Sequence, residues 1–418
     1  MEWLPSRNLI NLVRERFPDA VIVVGGEHVT ALPEYCLQDC PAIDYCVLGE
    51  GEQSLLELVD AIDDGSNVQE VPGLCLRRDG EAIRTQPRAR LRGLDELPRP
   101  AWDLLPVASY LDNRVMSGID FGRSMPILAS RGCPFSCTFC SNPVMWGPLW
   151  RAWEPEAVVD EMADYVAKYQ ATNFDFYDLT AIVKKQWIVE FCNLIIERGL
   201  KITWQFPSGT RTEALDDEVT KLLFASGCKF ITYAPESGSE EMLTRIKKKI
   251  SKPKMLQSMR DAVRNGLNVK ASLILGFPDE KLKHALQTFG YIFRMSVIGI
   301  RDVSVFPFSP YPGSALFEDL HRQGHIVLND AYFLALSQGT ASLPGSDASG
   351  LKQSYSPRAL GLLCLFGMAL FYSVSFLTRP GRLVTLVKNL RNNAQESRLE
   401  RSLLIFFNRK SEVTGRGV

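Results

Sequence analysis

Three of the ten cysteines fall inside one short stretch, Arg131-Gly-Cys-Pro-Phe-Ser-Cys-Thr-Phe-Cys-Ser-Asn142. Cys133, Cys137 and Cys140 are spaced C-x3-C-x2-C. Thiolates so close on one loop can converge on one metal centre, and soft sulfur ligands select iron–sulfur clusters or zinc. A closed zinc site needs a fourth ligand, and no other Cys or His is near in the sequence. Three ligands on a four-iron cluster leave one iron open. The flanks constrain the fold as well. Pro126-Ile-Leu-Ala-Ser130 reads as a short strand, and Pro155 opens a helix with Val158, Val159, Met162, Tyr165 and Val166 at helical spacing. The cysteines therefore belong on a loop at the C-terminal end of a strand, where α/β barrels place their chemistry. Three incidental cysteines are the competing reading, disfavoured by the Gly, Pro and aromatic residues between them.

From Pro126 onward strand and helix patterns alternate. Further strands are expected at Phe174–Asp178, Lys201–Phe206, Lys229–Glu236, Val269–Phe277 and Asp302–Ser309, with helices such as Trp187–Ile196 and Glu280–Met295 between them. Six βα units are too few for a closed eight-stranded barrel and suit an open one. Upstream, Leu9, Leu12, Val13 and Phe17 mark a helix closed by Pro18, and Ala20–Val24 a buried strand. Gly25-Gly26 turns out of it, Pro33 opens a short helix, and Tyr45–Leu48 is a second strand. Gly49-Glu-Gly-Glu52 leads into a helix carrying Leu55, Leu56, Leu58, Val59 and Ile62. This αβαβα order is half of an open doubly wound, flavodoxin-like sheet. By themselves the glycines fit ordinary strand-to-helix turns equally well. Asp79-Gly80 is the turn of a hairpin between Leu74–Leu76 and Ala82–Ile83, and the proline-rich Leu94–Tyr110 is a connector. The expected domains are residues 1–70, a hairpin and linker over 71–122, the barrel over 123–335 and a helical extension over 336–418.

A net charge of −1 argues against a nucleic-acid surface. Met1-Glu-Trp-Leu-Pro-Ser-Arg7 has no apolar core of a signal peptide. The remaining cysteines are scattered singly or, like Cys36 and Cys40, on one helix, which fits a reducing cytoplasm. Pro344-Gly-Ser-Asp-Ala-Ser-Gly350 reads as a flexible break. Beyond it, Ala359–Thr378 is uncharged and mostly apolar, flanked by Arg358, Arg379 and Arg382. It reaches the roughly 18–20 residues that a spanning helix needs. Two readings stand: a helix packed over the barrel or its substrate pocket, or membrane contact, peripheral or by one spanning helix. Leu383, Leu386, Val387 and Leu390, with Lys388 and Arg391, predict an amphipathic basic helix suited to a lipid surface.

The cysteine loop, with an aromatic before its last Cys, resembles the signature of the radical S-adenosylmethionine (radical SAM) enzymes. The resemblance implies that Cys133, Cys137 and Cys140 hold a [4Fe–4S] cluster whose open iron binds SAM. Reductive cleavage of SAM then yields a 5′-deoxyadenosyl radical, and Phe139 packs near the adenine. Val24-Gly-Gly-Glu-His-Val-Thr-Ala-Leu-Pro-Glu34 and Asp44-Tyr-Cys-Val-Leu-Gly-Glu-Gly-Glu52 resemble the last part of the cobalamin-binding domain of B12-dependent radical SAM enzymes. Gly25, Gly26 and Gly49 then flank the nucleotide tail of cobalamin. Earlier strands of that domain, and its D-x-H-x-x-G region, are not in this sequence, and His28 lies on a different turn. An N-terminally truncated or degenerate domain is therefore expected, with an incomplete cobalamin site. Leu97–Pro106 resembles the same subfamily's linker, and the resemblance runs over about residues 20 to 330.

Residues at the strand ends take roles from it. Glu236 and Ser237 contact the ribose of SAM, although Ser237-Gly-Ser-Glu240 is as well read as a helix cap. Arg211 clamps the SAM carboxylate, the alternative being a surface arginine. Gly276 permits close approach of the adenine. Tyr177-Asp178 stands where the family commonly has an acidic pair, and Asp178 reads slightly better as a helix cap. The implied function is modification of an unactivated carbon, most often by methylation, with one SAM supplying the radical and a second re-methylating cobalamin. The alternative is oxidative cyclisation or rearrangement of a tetrapyrrole-like or lipid substrate, as in the anaerobic magnesium-protoporphyrin monomethyl ester cyclases. A third reading, of another class, is an iron–sulfur electron-transfer or sensor protein. Implied partners are a small-molecule or lipid-like substrate and an external one-electron reductant of the flavodoxin or ferredoxin type.

Overall fold

The computed structural model describes residues 3–91, 93–114, 118–180, 182–211, 214–337, 355–397 and 399–405. The chain opens with α1 (Trp3–Arg16), β1 (Val23–Val24), α2 (Glu27–Ala31), α3 (Pro33–Asp39), β2 (Tyr45–Val47) and α4 (Glu52–Asp64). β1 and β2 run parallel, with Val23 opposite Tyr45. β1 is shorter than Ala20–Val24 because a side chain replaces part of the ladder. The Ile22 N–H donates to the Asp44 carboxylate at 2.7 Å, and Arg14 reaches the Ala20 carbonyl and Asp44. The hairpin β3 (Leu74–Arg78) and β4 (Glu81–Arg84) turns at Asp79-Gly80, both with positive φ. It docks antiparallel on β2, Cys46 opposite Cys75, extending the sheet to the order β1-β2-β3-β4. Trp3 of α1 is buried, whereas Leu9, Leu12 and Phe17 face solvent.

After α5 (Val107–Asp112) comes β5 (Ser124–Ile127), the first barrel strand. A short antiparallel pair, β6 (Ser130–Arg131) and β7 (Arg151–Ala152), then brackets the cysteine loop and α6 (Asn142–Met145). The repeat continues as α7 (Pro155–Tyr169), β8 (Asn173–Phe176), α8 (Lys185–Glu197), β9 (Thr203–Thr210), α9 (Asp217–Ala225) and β10 (Cys228–Glu236). It closes with α10 (Glu240–Arg245), α11 (Lys252–Arg264), β11 (Asn268–Leu275), α12 (Leu282–Ile298) and β12 (Asp302–Pro307). The sheet is parallel throughout, in the order β5-β8-β9-β10-β11-β12. These six strands are the ones the alternating pattern predicts, because fully covered parallel strands read as apolar, β-branched and aromatic runs. Phe174, Phe176, Phe191 and Trp204 fill the space between sheet and helices, with edge-on and tilted ring contacts near 5.5 Å.

Helices α13 (Ala315–Arg322) and α14 (Asp330–Ser337) pack against the N-terminal part, where Arg7 pairs with Asp330 at 2.8 Å. α15 (Pro357–Thr378) lies along α12 and β12, and α16 (Gly381–Arg391) follows it. Ser296 donates to the Phe371 carbonyl at 2.8 Å, and Tyr372 to Asp302 at 2.8 Å. The break expected over Pro344–Gly350 lies outside the described residues.

Candidate functional site

The cysteine loop is anchored at both flanks. Its base is the β6–β7 pair, with Arg131 opposite Arg151. Thr138 donates its N–H to the Ile246 carbonyl at 3.0 Å and accepts from the Leu316 N–H at 2.9 Å, tying the loop to α10 and α13. Gly132 has φ near 81°, and a Cβ there would meet the Leu149 carbonyl oxygen at 2.2 Å, so only glycine fits. Cys133 and Cys140 are partly exposed and Cys137 is at the edge of burial. Burial raises all three thiols, that of Cys140 to about 11, and the neighbouring thiols push those of Cys133 and Cys140 further in the same direction. Among the described residues no three His, Cys, Asp or Glu side chains are placed to hold a single metal ion. One zinc would need its thiolates within about 4 Å of one another, given bonds near 2.3 Å. A four-iron cluster takes each cysteine on a different iron, and this three-thiol loop, with no other Cys or His beside it in the sequence, fits it.

Three charged side chains surround that loop. Arg211, at the end of β9, is 5% exposed and stacks its guanidinium 3.4 Å from the centre of the Phe135 ring. It also donates to the Lys249 carbonyl. Glu236, ending β10, has φ of 64°, an uncommon conformation for a residue with a side chain. Its carboxylate pairs with the Lys248 ammonium at 3.0 Å, both side chains under a tenth exposed. The charges of Lys248 and Arg211 favour the thiolate forms of Cys133 and Cys137. Sequence reasoning missed Lys248. Its signal was the run Lys247-Lys248-Lys249 behind a capped helix, of which only the middle residue is buried.

Ser237 and Gly276 are closely packed at the strand ends. Ser237 is fully buried, its hydroxyl shared with Thr288 of α12 at 3.3 Å and accepting the Ser239 N–H. Ser239 is the N-cap of α10, accepting from the Met242 N–H, so the capping alternative describes this turn. At Gly276 the position a Cβ would take is filled by Leu360 of α15, 2.4 Å away. The Gly276 N–H is bound by the buried carboxylate of Glu280. Phe139 packs on Phe277, ring centres 5.7 Å apart. Asp178 is no helix cap. It accepts from the Ala129 N–H at 3.1 Å and the Ser130 hydroxyl at 2.5 Å, locking the strand end just before the cysteines.

Gly25, Gly26 and Gly49 line one cleft of about 410 Å³, together with Glu50, Arg131 and Trp146. Thr30 accepts the Gly49 N–H at 3.0 Å, which pins the second turn against the first. Both Gly26 and Gly49 have positive φ, and a Cβ on Gly26 would point into open space. Backbone thus faces the cleft directly, a surface suited to a large, flat or extended cofactor. His28 does not: it is held between Trp3 and Phe333, and burial lowers its pKa to about 4.

Glu50, between the two turn glycines, connects the cleft to the barrel. It accepts from Arg151 at 2.8 Å, Arg90 at 3.2 Å, Arg131 at 3.3 Å and the Leu91 N–H at 3.1 Å. Burial opposes its ionised form, yet the Arg151 hydrogen bonds and the Arg90 charge hold its pKa below the usual carboxylate range. A second cavity, about 520 Å³, lies between the linker and the free edge of β5, lined by Leu97, Trp102, Leu128, Trp153 and Tyr177. Arg131 and Glu52 border both cavities, so they adjoin at the residue that opens the cysteine loop.

An open parallel barrel with a three-cysteine loop at the strand ends, joined to a glycine-lined α/β sheet, defines a class of cluster-dependent enzyme. The profile of the radical SAM superfamily matches residues 127–292, and that of the B12 binding domain matches residues 4–59. Residues 127–292 thus form a radical SAM domain and residues 4–59 a B12-binding domain. With those domains come a [4Fe–4S] cluster, SAM and cobalamin as cofactors. An uncharacterised methyltransferase of Pyrococcus horikoshii is 32% identical over 298 residues, covering 71% of this chain and 62% of that protein. The anaerobic magnesium-protoporphyrin IX monomethyl ester cyclase of Rubrivivax gelatinosus is 27% identical over 323 residues, covering 75% of this chain and 56% of that protein. The chain therefore spans less than two thirds of the length of these relatives. The structure of the cobalamin-dependent SAM radical enzyme OxsB superposes with a TM-score of 0.67 at 16% identity, over 98% of this chain and 65% of that one. It shows the shared fold.

Proposed function

We propose that this protein transfers a methyl group to an unactivated carbon of an apolar small molecule, using SAM and cobalamin. The supporting observation is the adjacency of the two clefts: the cysteine loop and the Gly25-Gly26/Gly49 cleft meet at Arg131 and Glu50. When bound, the cluster supplies the electron that cleaves SAM and cobalamin supplies a carrier for the methyl group. The protein's own groups do the rest. Cys133, Cys137 and Cys140 ligate iron. Arg211 and Lys248 offer cations to the SAM carboxylate, and Glu236 offers an acceptor to its ammonium or ribose hydroxyls. Phe139 gives the adenine an apolar wall. Gly25, Gly26 and Gly49 let backbone approach the cobalamin tail. The cavity at the edge of β5, walled by Leu97, Trp102, Leu128 and Trp153, excludes water around an apolar, tetrapyrrole-like or lipid-like substrate. An external reductant of the flavodoxin or ferredoxin type supplies electrons, in the cytoplasm, with the C-terminal helices in contact with a membrane surface. Residues 123–335 act as the catalytic barrel and 1–70 as the cobalamin side. The second reading is oxidative cyclisation, favoured by the cyclase relative that matches three quarters of this chain.

The test is anaerobic reconstitution with iron and sulfide, addition of methyl-labelled SAM and a one-electron reductant, and titration with hydroxocobalamin. The expected result is one four-iron cluster per chain, formation of 5′-deoxyadenosine, and uptake of label by the cobalamin-loaded protein. Cleavage of SAM without any uptake of label removes methyl transfer and leaves cyclisation. Iron loading with no SAM binding would leave an electron-transfer or sensor protein.

A further inference from the structure

The C-terminal helix α15 has two apolar faces, and only one is covered. Leu360, Cys364, Gly367, Phe371 and Ser375 form the stripe buried on the barrel. The opposite stripe, Leu362, Leu365, Phe366 and Leu377, faces solvent, with Leu377 82% exposed. Phe366 meets Phe289 of α12, ring centres 5.0 Å apart. On the α12 side of that seam a second exposed stripe runs through Leu282, Leu286, Phe293 and Val297. Side chains three and four apart on a helix share a face, so each stripe is continuous along its own helix, and the two helices pack side by side at the Phe366–Phe289 contact. α16 extends the surface with Leu383, Val384 and Val387. An apolar surface of this extent on a soluble domain marks a contact site.

Charge indicates what the contact is. The chain as a whole is balanced, with 47 Lys and Arg against 48 Asp and Glu. Yet α12, α15 and α16 contain no Asp or Glu at all. Their charged residues are cations: Lys283 and Arg294 on α12, Arg358 on α15, and Arg382, Lys388 and Arg391 on α16. Glu241, which reaches Lys283 from α10, is shared with Arg245. Glu240 and Glu241 of α10 reach only the Lys283–Arg294 flank of α12. An exposed apolar strip on helices that carry cations and no carboxylate of their own matches an anionic lipid leaflet, which attracts basic residues and accepts apolar side chains.

The helix is long and apolar enough to cross a bilayer, with mean hydropathy 2.1 over its best window. It is nonetheless tied lengthwise to the barrel. Ser296 and Tyr372 bind across its middle. At its end Arg379 donates to the Ile298 carbonyl at 3.0 Å, and Arg382 donates to the Ile300 carbonyl at 2.8 Å. Crossing a bilayer would break these bonds and bare Ile292, Val305 and Phe289, which now pack on Gly367. We propose that the α12–α15–α16 face docks on the surface of an anionic phospholipid bilayer, the helices lying in the interface without spanning it. This rests on the membrane contact in the proposed function but not on the reaction, since lipid binding requires no cofactor.

Protein comprising residues 1–418 is sedimented with vesicles of phosphatidylcholine alone and of phosphatidylcholine mixed with phosphatidylglycerol. Binding is expected to the mixed vesicles only, and to be released by high salt. K388Q/R391Q should weaken it roughly thirtyfold, about fivefold per cation removed. L365E/L377E should abolish it with an unchanged melting temperature, since both positions are exposed. The proposal is overturned by failure to bind mixed vesicles, by equal binding to neutral ones, or by indifference to K388Q/R391Q. Retention through an alkaline wash would establish a spanning helix instead. A protein that ignores vesicles but dissociates from dimer to monomer in L365E/L377E would make the occupant a second copy of the chain. In each of those cases SAM cleavage is measured separately and stands or falls alone.

Discussion

The barrel and the N-terminal sheet both carry glycine-containing turns at their strand ends, but they are built with very different margins. β10 has nine residues and is flanked on both sides by parallel partners. β1 has two residues and β2 three. In the barrel, depth permits buried charge: Arg211, Lys248 and Glu236 are placed by long strands and a capped helix, with little water to screen them. The sheet has no such depth, and it presents backbone. Its turns are held by Thr30 and by Glu50, which borrows its arginines from the linker and the barrel. A thin sheet can therefore carry a precise cleft when a thicker neighbour supplies the countercharges.

The sharpest contrast is among the cysteines. Alanine at Cys133, Cys137 or Cys140 should abolish both cluster loading and SAM cleavage, read by iron content and 5′-deoxyadenosine. Replacement of the other seven, all buried and free, should leave iron per folded chain unchanged. Half the iron lost from that variant would reveal a second cluster and break the contrast.

Lys248→Ala comes next. It strands the Glu236 carboxylate in a buried site, at an expected loss of about 3–5 kcal/mol, visible as a lower urea midpoint. If Lys248 only neutralises Glu236, adding Glu236→Gln restores stability, and the double variant binds SAM as Glu236→Gln alone does. If it also receives the SAM carboxylate, the double variant regains stability and binds SAM more weakly than Glu236→Gln alone.

Packing separates the two regions directly. Ile231→Ala, in the middle of β10 and fully buried, should cost about 2–5 kcal/mol. Leu12→Ala, on the solvent face of α1 and 60% exposed, should change stability by no more than about 0.5 kcal/mol. Equal effects would mean that the α1 face is covered in solution.

The smallest expected effect depends on pH. Burial raises the Asp178 carboxyl to about 6, against the pull of the Ser130 hydroxyl and the Ala129 N–H. A carboxyl raised in the fold contributes its full stability below its unfolded pKa, and loses it as pH climbs through the folded value. Asp178→Asn should match the parent at pH 4 and exceed it at pH 8 by about 1–3 kcal/mol, measured by denaturant unfolding at both pH values. A parent that is the more stable at pH 8 would show that the charge itself is needed there.

What the sequence made legible is local. Six strands stood out because parallel, doubly covered strands are apolar runs, and the cysteine loop because its thiols are four and three residues apart. Long-range partners were not legible. Nothing near Gly276 announces Leu360, and nothing near Glu50 announces Arg90, Arg131 and Arg151. Ser237 reads two ways, because a hydroxyl at a strand end serves a ligand or a neighbouring helix equally well. Its partner Thr288 lies 51 residues on, beyond the reach of any local pattern. The orientation of α15 was hidden for another reason: a helix apolar on both faces has no period that points inward.

Glu50 has a consequence for how such chains can be recombined. One carboxylate on the first module is shared by guanidinium groups from the linker, the cysteine loop and the strand after it. A crossover placed between Glu50 and Arg90 would splice a foreign sheet onto this barrel and leave three partly buried cations facing whatever the donor brings. The two modules are thus joined by charge at Glu50 as well as by the core that Trp3 and Val29 share with Phe277 and Phe333. A working chimera must either take its junction downstream of Arg151 or bring an acid to position 50.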